Sequence, residues 1–273
     1  MIRGLARLFR LRLALLNGVT ATAGVLLYPL PAAHGLFLSV FIGVVLLAAG
    51  GSALNQAQEY KLDRLMSRTR LRPVAQGDLS PAMATLLGAV AIMAGVFVIG
   101  ASGGLMPALI GAGGILWYLA VYTPLKTCTS YALTAGALCG AMPPVIGWCS
   151  VGGSMLDYRI ILLAGILYLW QIPHFWLLQQ RHESDYRRAG IRLIRTDTVA
   201  LNPGRLFWLW LVAFIAGVML LPALHILEPP VALWYVAFPI PLVILTIVRS
   251  QNLLFVYLNS FPIVLALLLY FRA

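Results

Sequence analysis

Three oxygen-bearing side chains stand four residues apart in the run Asn55-Gln-Ala-Gln-Glu59-Tyr-Lys-Leu-Asp63. On a helix the spacing i, i+4, i+8 places them on one face, climbing about 12 Å at about 1.5 Å per residue. An amide and two carboxylates form a hard-oxygen set suited to magnesium, which often shares its shell with a substrate phosphate. A helix end emerging into water can carry the same decoration with no metal at all. The following residues separate the two readings. Arg64, Arg68, Arg70 and Arg72 crowd the same segment before Pro73 and Gly77 turn the chain back. Carboxylates for a divalent cation beside guanidinium groups for phosphate oxygens is the combination a diphosphate requires. Attraction to anionic lipid accounts for the number of arginines, but not for the acids threaded among them.

A second cluster, Arg181, His182, Glu183, Asp185, Arg187 and Arg188, suggests a second half-site. Lys126, in Tyr122-Thr-Pro-Leu-Lys126, either reaches phosphates as a mobile point charge or snorkels toward headgroups. His174, in Pro173-His174-Phe-Trp176, is a substrate-contact candidate set against an ordinary hydrogen-bonded helix residue. Pro143-Pro144 is expected to break or bend its helix. Cys128, Cys139 and Cys149 lack metal-site or disulfide spacing, and there is no P-loop, H-E-x-x-H or nucleophile elbow. The glycines between Gly100 and Gly114 read as helix-packing positions.

These residues must be positioned by membrane helices. Of 273 residues 61% are hydrophobic and only 10% charged, with a mean hydropathy of +0.92, which excludes a soluble globule and a disordered chain. A net charge of +11 evokes nucleic acid, but no solvated basic domain is left to bind it. Continuously apolar stretches predict nine transmembrane helices, at 9–31, 35–56, 81–102, 105–124, 131–152, 159–178, 205–227, 230–248 and 252–271. Residues 1–273 thus read as a single all-α membrane domain with active-site loops at 57–80 and 179–204. The first span reads as a retained helix, Pro29 and Pro31 close it, and Pro229-Pro230 separates the seventh span from the eighth. Nine spans put 17 of the 19 basic residues on one side, together with six of the eight acids. By the positive-inside rule the N-terminus and both loops are cytoplasmic, the C-terminus lies opposite, and the chain sits in the cell (inner) membrane.

Taken together, the segments resemble the UbiA-type intramembrane prenyltransferase superfamily and, within it, the heme O synthase (protoheme IX farnesyltransferase) group. The resemblance is carried by Asn55-x3-Glu59-x3-Asp63-x2-Met66-x-Arg68-Thr69-x2-Arg72-Pro73, Tyr122-Thr123-x2-Lys126, Met142-Pro-Pro-Val-Ile-Gly-Trp148, Pro173-His-Phe-Trp176 and Asp185-Tyr186 with Ala189-Gly190-Ile191. Arg10 and Arg12 match a basic pair opening the first helix, and the ordered matches span residues 8–196. The resemblance implies a central cavity, a polyprenyl (farnesyl) diphosphate donor, magnesium, heme B as acceptor, and respiratory oxidase assembly proteins as partners. It implies that Asn55, Glu59, Asp63 and Asp185 hold metal and diphosphate, and that Arg68, Arg72, Lys126 and Arg181 neutralise the diphosphate. His174, Arg12, Tyr122, Trp148 and Trp176 would face the acceptor or shield a carbocation. The chain departs from the pattern at Leu13, Thr127, Cys128, Glu183 and Ser184. A prenyltransferase acting on an aromatic acid or quinone precursor shares the donor site. A membrane transporter would place its charges at the midplane. A heme-binding assembly protein would need no carboxylate–arginine loop.

Overall fold

A computed structural model of the chain describes residues 2–30, 33–192, 205–227, 237–248 and 250–272. The described residues form helices joined by turns. A short surface helix, α1 (Ile2–Leu8), leads into α2 (Leu11–Leu27) and the long α3 (His34–Leu65). After α4 (Pro73–Gln76), α5 (Pro81–Gly103) and α6 (Leu105–Leu116) form a hairpin turned at Gly104. Its φ of 91° there is one glycine adopts without strain. The same rod widens into a π-helical turn (Trp117–Tyr122) and ends as α7 (Thr123–Cys128). Next come α8 (Ala132–Ser150), α9 (Tyr158–Arg181), α10 (Glu183–Arg188), α11 (Arg205–Ala223), α12 (Pro239–Ile247) and α13 (Gln251–Arg272).

All nine apolar stretches contain helix. Among the described residues seven rods are long and apolar enough to cross a membrane, and α2 is a shorter apolar helix of 17 residues. The stretch at 230–248 is described only from residue 237, so Pro229-Pro230 lies outside the described residues, as do Pro31, Arg195, Asp197, Glu228 and Arg249. Two boundaries move. The expected loop at 57–80 begins only after Leu65, because Glu59 and Asp63 continue the helix of the second span. The loop at 179–204 likewise starts with the last residues of α9 and the separate turn of α10. Local signals explain several starts: Ser80 accepts from the Met83 N–H at 3.2 Å with Pro81 in the first helical turn, and Asp157 accepts from the Arg159 N–H at 2.9 Å.

Small residues decide which helices touch. A Cβ at Gly24 would lie 1.9 Å from the Pro144 carbonyl oxygen, and one at Gly147 would lie 1.9 Å from that of Ala21. Helices α2 and α8 therefore cross backbone against backbone, the close approach that glycine permits in a bilayer. Gly43 and Gly50 of α3 meet Gly95 and Gly88 of α5 in the same way. The expected break at Pro143-Pro144 does not occur: α8 runs unbroken from Ala132 to Ser150, and Gly24 leaves room for the proline backbone to pack. Of the glycines singled out from the sequence, Gly103, Gly111 and Gly114 face neighbouring side chains, whereas Gly113 meets open space. Behind these seams, an apolar cluster of Trp148, Leu163, Phe207, Phe214, Leu258 and Phe261 packs α8, α9, α11 and α13 together.

Gly147→Leu is expected to destabilise the fold by about 1–3 kcal/mol through overpacking. Gly165→Ala, where an added Cβ meets nothing within 4 Å, should be neutral. Thermal unfolding of the detergent-solubilised protein checks both; equal melting temperatures would contradict the α2–α8 crossing.

Candidate functional site

A cavity of about 400 Å³ opens beneath the ends of α3, α7 and α9. Its rim carries Glu59, Asp63, Arg10, Arg68, Arg72 and Lys126. Asn55 stands one helical turn deeper than Glu59 on the same face, as the i, i+4, i+8 spacing requires.

Each rim carboxylate is held by cations. Asp63 is fully buried, and Arg72 Nη1 donates to both of its carboxylate oxygens at 2.8 Å. The Lys126 ammonium donates to Glu59 Oε1 and Oε2 at 3.0 and 3.1 Å and lies 4.6 Å from the centre of the Tyr122 ring. Asn55 Nδ2 donates to Glu59 Oε2 at 2.9 Å and to Thr123 Oγ1 at 3.2 Å. Thr123 Oγ1 in turn donates to the Tyr118 carbonyl at 2.9 Å. That carbonyl belongs to the π-helical turn. Pro124, lacking an N–H, cannot continue the regular ladder, and the widened turn seats Tyr118, Tyr122 and Lys126 on the cavity wall.

The loop after α3 is tied at both ends. Thr69 Oγ1 donates to the Asp63 carbonyl at 3.1 Å, and Arg64 Nε donates to the Ala75 carbonyl at 2.8 Å. Its tip is clasped by the second acidic segment: Asp185 Oδ2 accepts from Ser67 Oγ at 2.5 Å and from the Arg68 N–H at 3.2 Å, and Oδ1 accepts from Arg188. Arg68 also reaches the Tyr186 hydroxyl at 3.4 Å.

The thirteen residues singled out from the sequence therefore divide. Asn55, Glu59, Asp63, Arg68, Arg72, Lys126, Tyr122 and His174 share the cavity wall. Asp185 does not line it and is turned instead into the loop clasp. Arg181 is exposed, its guanidinium 5.6 Å from the Phe255 ring centre. Trp148 lies toward the other end of α8, donating to the Ser154 carbonyl at 2.8 Å, and Trp176 packs edge-on against Phe207 in the core. Arg12 points outward, and its neighbour Arg10 takes the cavity position. The reason is a left-handed turn at Arg10 (φ 44°, ψ 52°) between α1 and α2. A non-glycine residue held in that region carries backbone strain. Gln56, which donates to the carbonyls of Arg7 and Leu8 at 3.1 and 2.7 Å, fixes this corner against α3. The sequence reading also passed over Tyr118 and Gln171, neither of which carries a charge or a motif spacing, and it named Tyr186 only within a matching run.

The donor set fits magnesium in a particular way. Asn55, Glu59 and Asp63 carry hard oxygen donors on one face, but among the described residues no three His, Cys, Asp or Glu side chains converge on one point. Such a set suits an ion that keeps water or brings phosphate oxygens of its own, as magnesium does.

Hydrogen bonds from the Ser67 hydroxyl, the Ser67 and Arg68 backbone and Arg188 hold the Asp185 carboxyl well below its ordinary value of 3.8. The clasp therefore contributes stability at every pH above that value and loses it only as pH falls below, toward the depressed folded value. At pH 7, Asp185→Asn should speed hydrogen exchange at the Arg68 amide by about tenfold or more. Unchanged exchange would mean that other contacts hold the loop.

Residues 17–270 match the UbiA prenyltransferase family. The chain is 56% identical over 265 residues to a protoheme IX farnesyltransferase of Geobacter sulfurreducens, covering 97% of each. It is 38% identical over 225 residues to the protein of that name from Oleidesulfovibrio alaskensis, covering 81% of this chain and 78% of the relative. The apo structure of a UbiA homolog from Aeropyrum pernix superposes with a TM-score of 0.78 at 18% identity, over 96% of this chain and 98% of that one. A UbiA homolog from Archaeoglobus fulgidus bound to DMAPP and Mg2+ gives a TM-score of 0.67 at 15% identity, over 98% and 97%. With family match, full-length relatives and fold in agreement, the chain belongs to the UbiA prenyltransferase family.

Proposed function

We propose that the chain transfers a farnesyl group from farnesyl diphosphate to a vinyl group of heme B, giving heme O, in a magnesium-dependent reaction. One observation carries the reading: a rim of paired carboxylates and cations caps a cavity whose deeper walls are largely apolar, in a chain 56% identical to a protein named for this activity. Both substrates match that layout, each having an anionic end and a greasy body.

Asn55, Glu59 and Asp63 would hold magnesium, which when bound supplies charge neutralisation for the departing diphosphate. Lys126, Arg72, Arg68 and Arg10 bind the diphosphate oxygens. For Lys126 and Arg72 this is an exchange of partners, carboxylate for phosphate, so the free carboxylates become available as ligands when the anion arrives. The allylic C–O bond breaks with its electrons leaving on the diphosphate. Tyr118 and Tyr122, stacked with ring centres 5.9 Å apart beneath Lys126, offer π faces to the cation and keep stray water from it. The terminal vinyl carbon of heme then bonds to the farnesyl carbon, and water adds to the neighbouring carbon. The acceptor sits deeper, against Gln171 and Met142. Asp185 acts on the diphosphate through the backbone of Arg68. The rim faces the cytoplasm, as the clustering of basic residues there supports. Charges gathered at the rim also argue against alternating-access transport, which places ionisable groups near the midplane.

Purified protein incubated with farnesyl diphosphate, magnesium and either heme B or 4-hydroxybenzoate is expected to yield farnesylated heme by mass spectrometry. Asp63→Asn should lower turnover by about 10²–10³-fold, the usual size of losing one group that stabilises developing charge, with the fold intact. Prenylated benzoate without farnesylated heme would move the acceptor to the aromatic class, and full activity of Asp63→Asn would remove the metal assignment.

A further inference from the structure

His174 is the one imidazole on the cavity wall, and the rim chemistry gives it no task. Its ring is sandwiched between Trp170 (centroids 5.1 Å apart, 22° between planes) and Phe255 (5.3 Å, 15°). Nδ1 is buried with no hydrogen-bond partner, and among the described residues no carboxylate pairs with the ring. An orphaned buried nitrogen in a native fold calls for an explanation. Packing alone would be served as well by another aromatic ring.

Its depth is informative. The Asp185–Ser67 contact sets the cytoplasmic ends of α9 and α3 side by side. Counting back along α9 from His182 puts His174 about 12 Å below that level at about 1.5 Å per residue. Counting back along α3 from Leu65 puts Glu59 about 9 Å and Asn55 about 15 Å below it. His174 therefore lies between Glu59 and Asn55 in depth, just inside the anion-binding rim, where the carbon released from the diphosphate meets the acceptor. The carboxylates near that level are engaged at every stage: Glu59 by Lys126 and Asp63 by Arg72 before the anion binds, and both by the metal in the reading above once it has bound. Asn17, Gln171 and Asn259 line the same cavity and supply the polar partners a water needs in an otherwise apolar space.

We propose that His174 accepts the proton of the water that completes the product's hydroxyethyl group, an inference that rests on the heme-farnesylating reading above. In that step the vinyl π electrons form the bond to the farnesyl carbon, leaving a positive charge on the carbon beside the macrocycle. A lone pair of water forms the C–O bond there. The O–H proton passes to the His174 imidazole and from it to the released diphosphate. The competing fate of the same cation is loss of a proton from the newly made methylene group, which gives an alkene lighter by one water. His174 sets the partition between the two by holding the water with its lone pair toward the cation.

The test is the ratio of hydrated to dehydrated farnesyl heme, read by mass spectrometry on the full chain in detergent with heme B, farnesyl diphosphate and magnesium. His174→Leu should lower that ratio by about tenfold or more, given the usual contribution of a positioned base. His174→Gln, which can still hold a water, should recover part of it. The absorption spectrum of heme bound to His174→Leu without the diphosphate should match that of the unsubstituted protein. An unchanged ratio in His174→Leu would overturn the proposal. So would an altered heme spectrum with loss of all product, which would make the ring a ligand or wall of the acceptor. Absence of farnesylated heme with the unsubstituted protein would instead defeat the functional reading itself.

Discussion

Two carboxylates one helical turn apart, Glu59 and Asp63, stand at the edge of a low-dielectric bundle, and each is paired with a cation. Taking such a charge out of water costs several kcal/mol, and losing one member of a buried pair typically costs about 3–5 kcal/mol. The chain supplies the two counter-charges from different places. Arg72 comes from the loop that follows the same helix, so that loop must fold back over the rim. Lys126 comes from the end of the rod starting at Leu105, so that rod must finish against α3. Much of the architecture around the rim follows from meeting those two demands at once.

Backbone irregularities serve the same end. The π-helical turn before Pro124 brings Lys126 and two tyrosines onto the wall, and the left-handed corner at Arg10 turns a further guanidinium into the cavity. Both are pinned by side chains of α3: Asn55 bonds to Thr123 at the turn, and Gln56 bonds to the carbonyls of Arg7 and Leu8 at the corner. One helix thus carries the Asn55–Glu59–Asp63 face and sets the elements that surround it. Glycine seams press α5 against α3 and α8 against α2, while a large apolar cluster packs α8, α9, α11 and α13 together.

Periodicity made the helices, their approximate limits and the Asn55–Glu59–Asp63 face legible in the sequence, because composition and i, i+4 spacing are local properties. The arginine loop and Lys126 were legible for the same reason. What escaped depended on backbone direction. Arg12 and Arg10 are equivalent in a list of basic residues, and only the positive φ at Arg10 decides which faces inward. Trp148 and Trp176 look like cavity walls in a motif, yet the rotation of α8 and α9 sends them to Ser154 and Phe207. Asp185 has the chemistry of a metal ligand. Its reach to Ser67, 118 residues away in sequence, could be found only in three dimensions.

The pairing of every rim carboxylate with a cation has a thermodynamic consequence: metal and diphosphate should bind as a coupled pair, since each releases the partner the other needs. Manganese as a paramagnetic substitute for magnesium makes the coupling directly measurable by electron paramagnetic resonance titration. With Lys126 and Arg72 occupying Glu59 and Asp63, manganese alone should bind weakly. A non-hydrolysable farnesyl diphosphate analogue should tighten it by about tenfold or more, within the range of coupling energies of about 1–3 kcal/mol. Tight manganese binding in the absence of any diphosphate, unaltered when the analogue is added, would contradict the exchange of ion pairs at the rim.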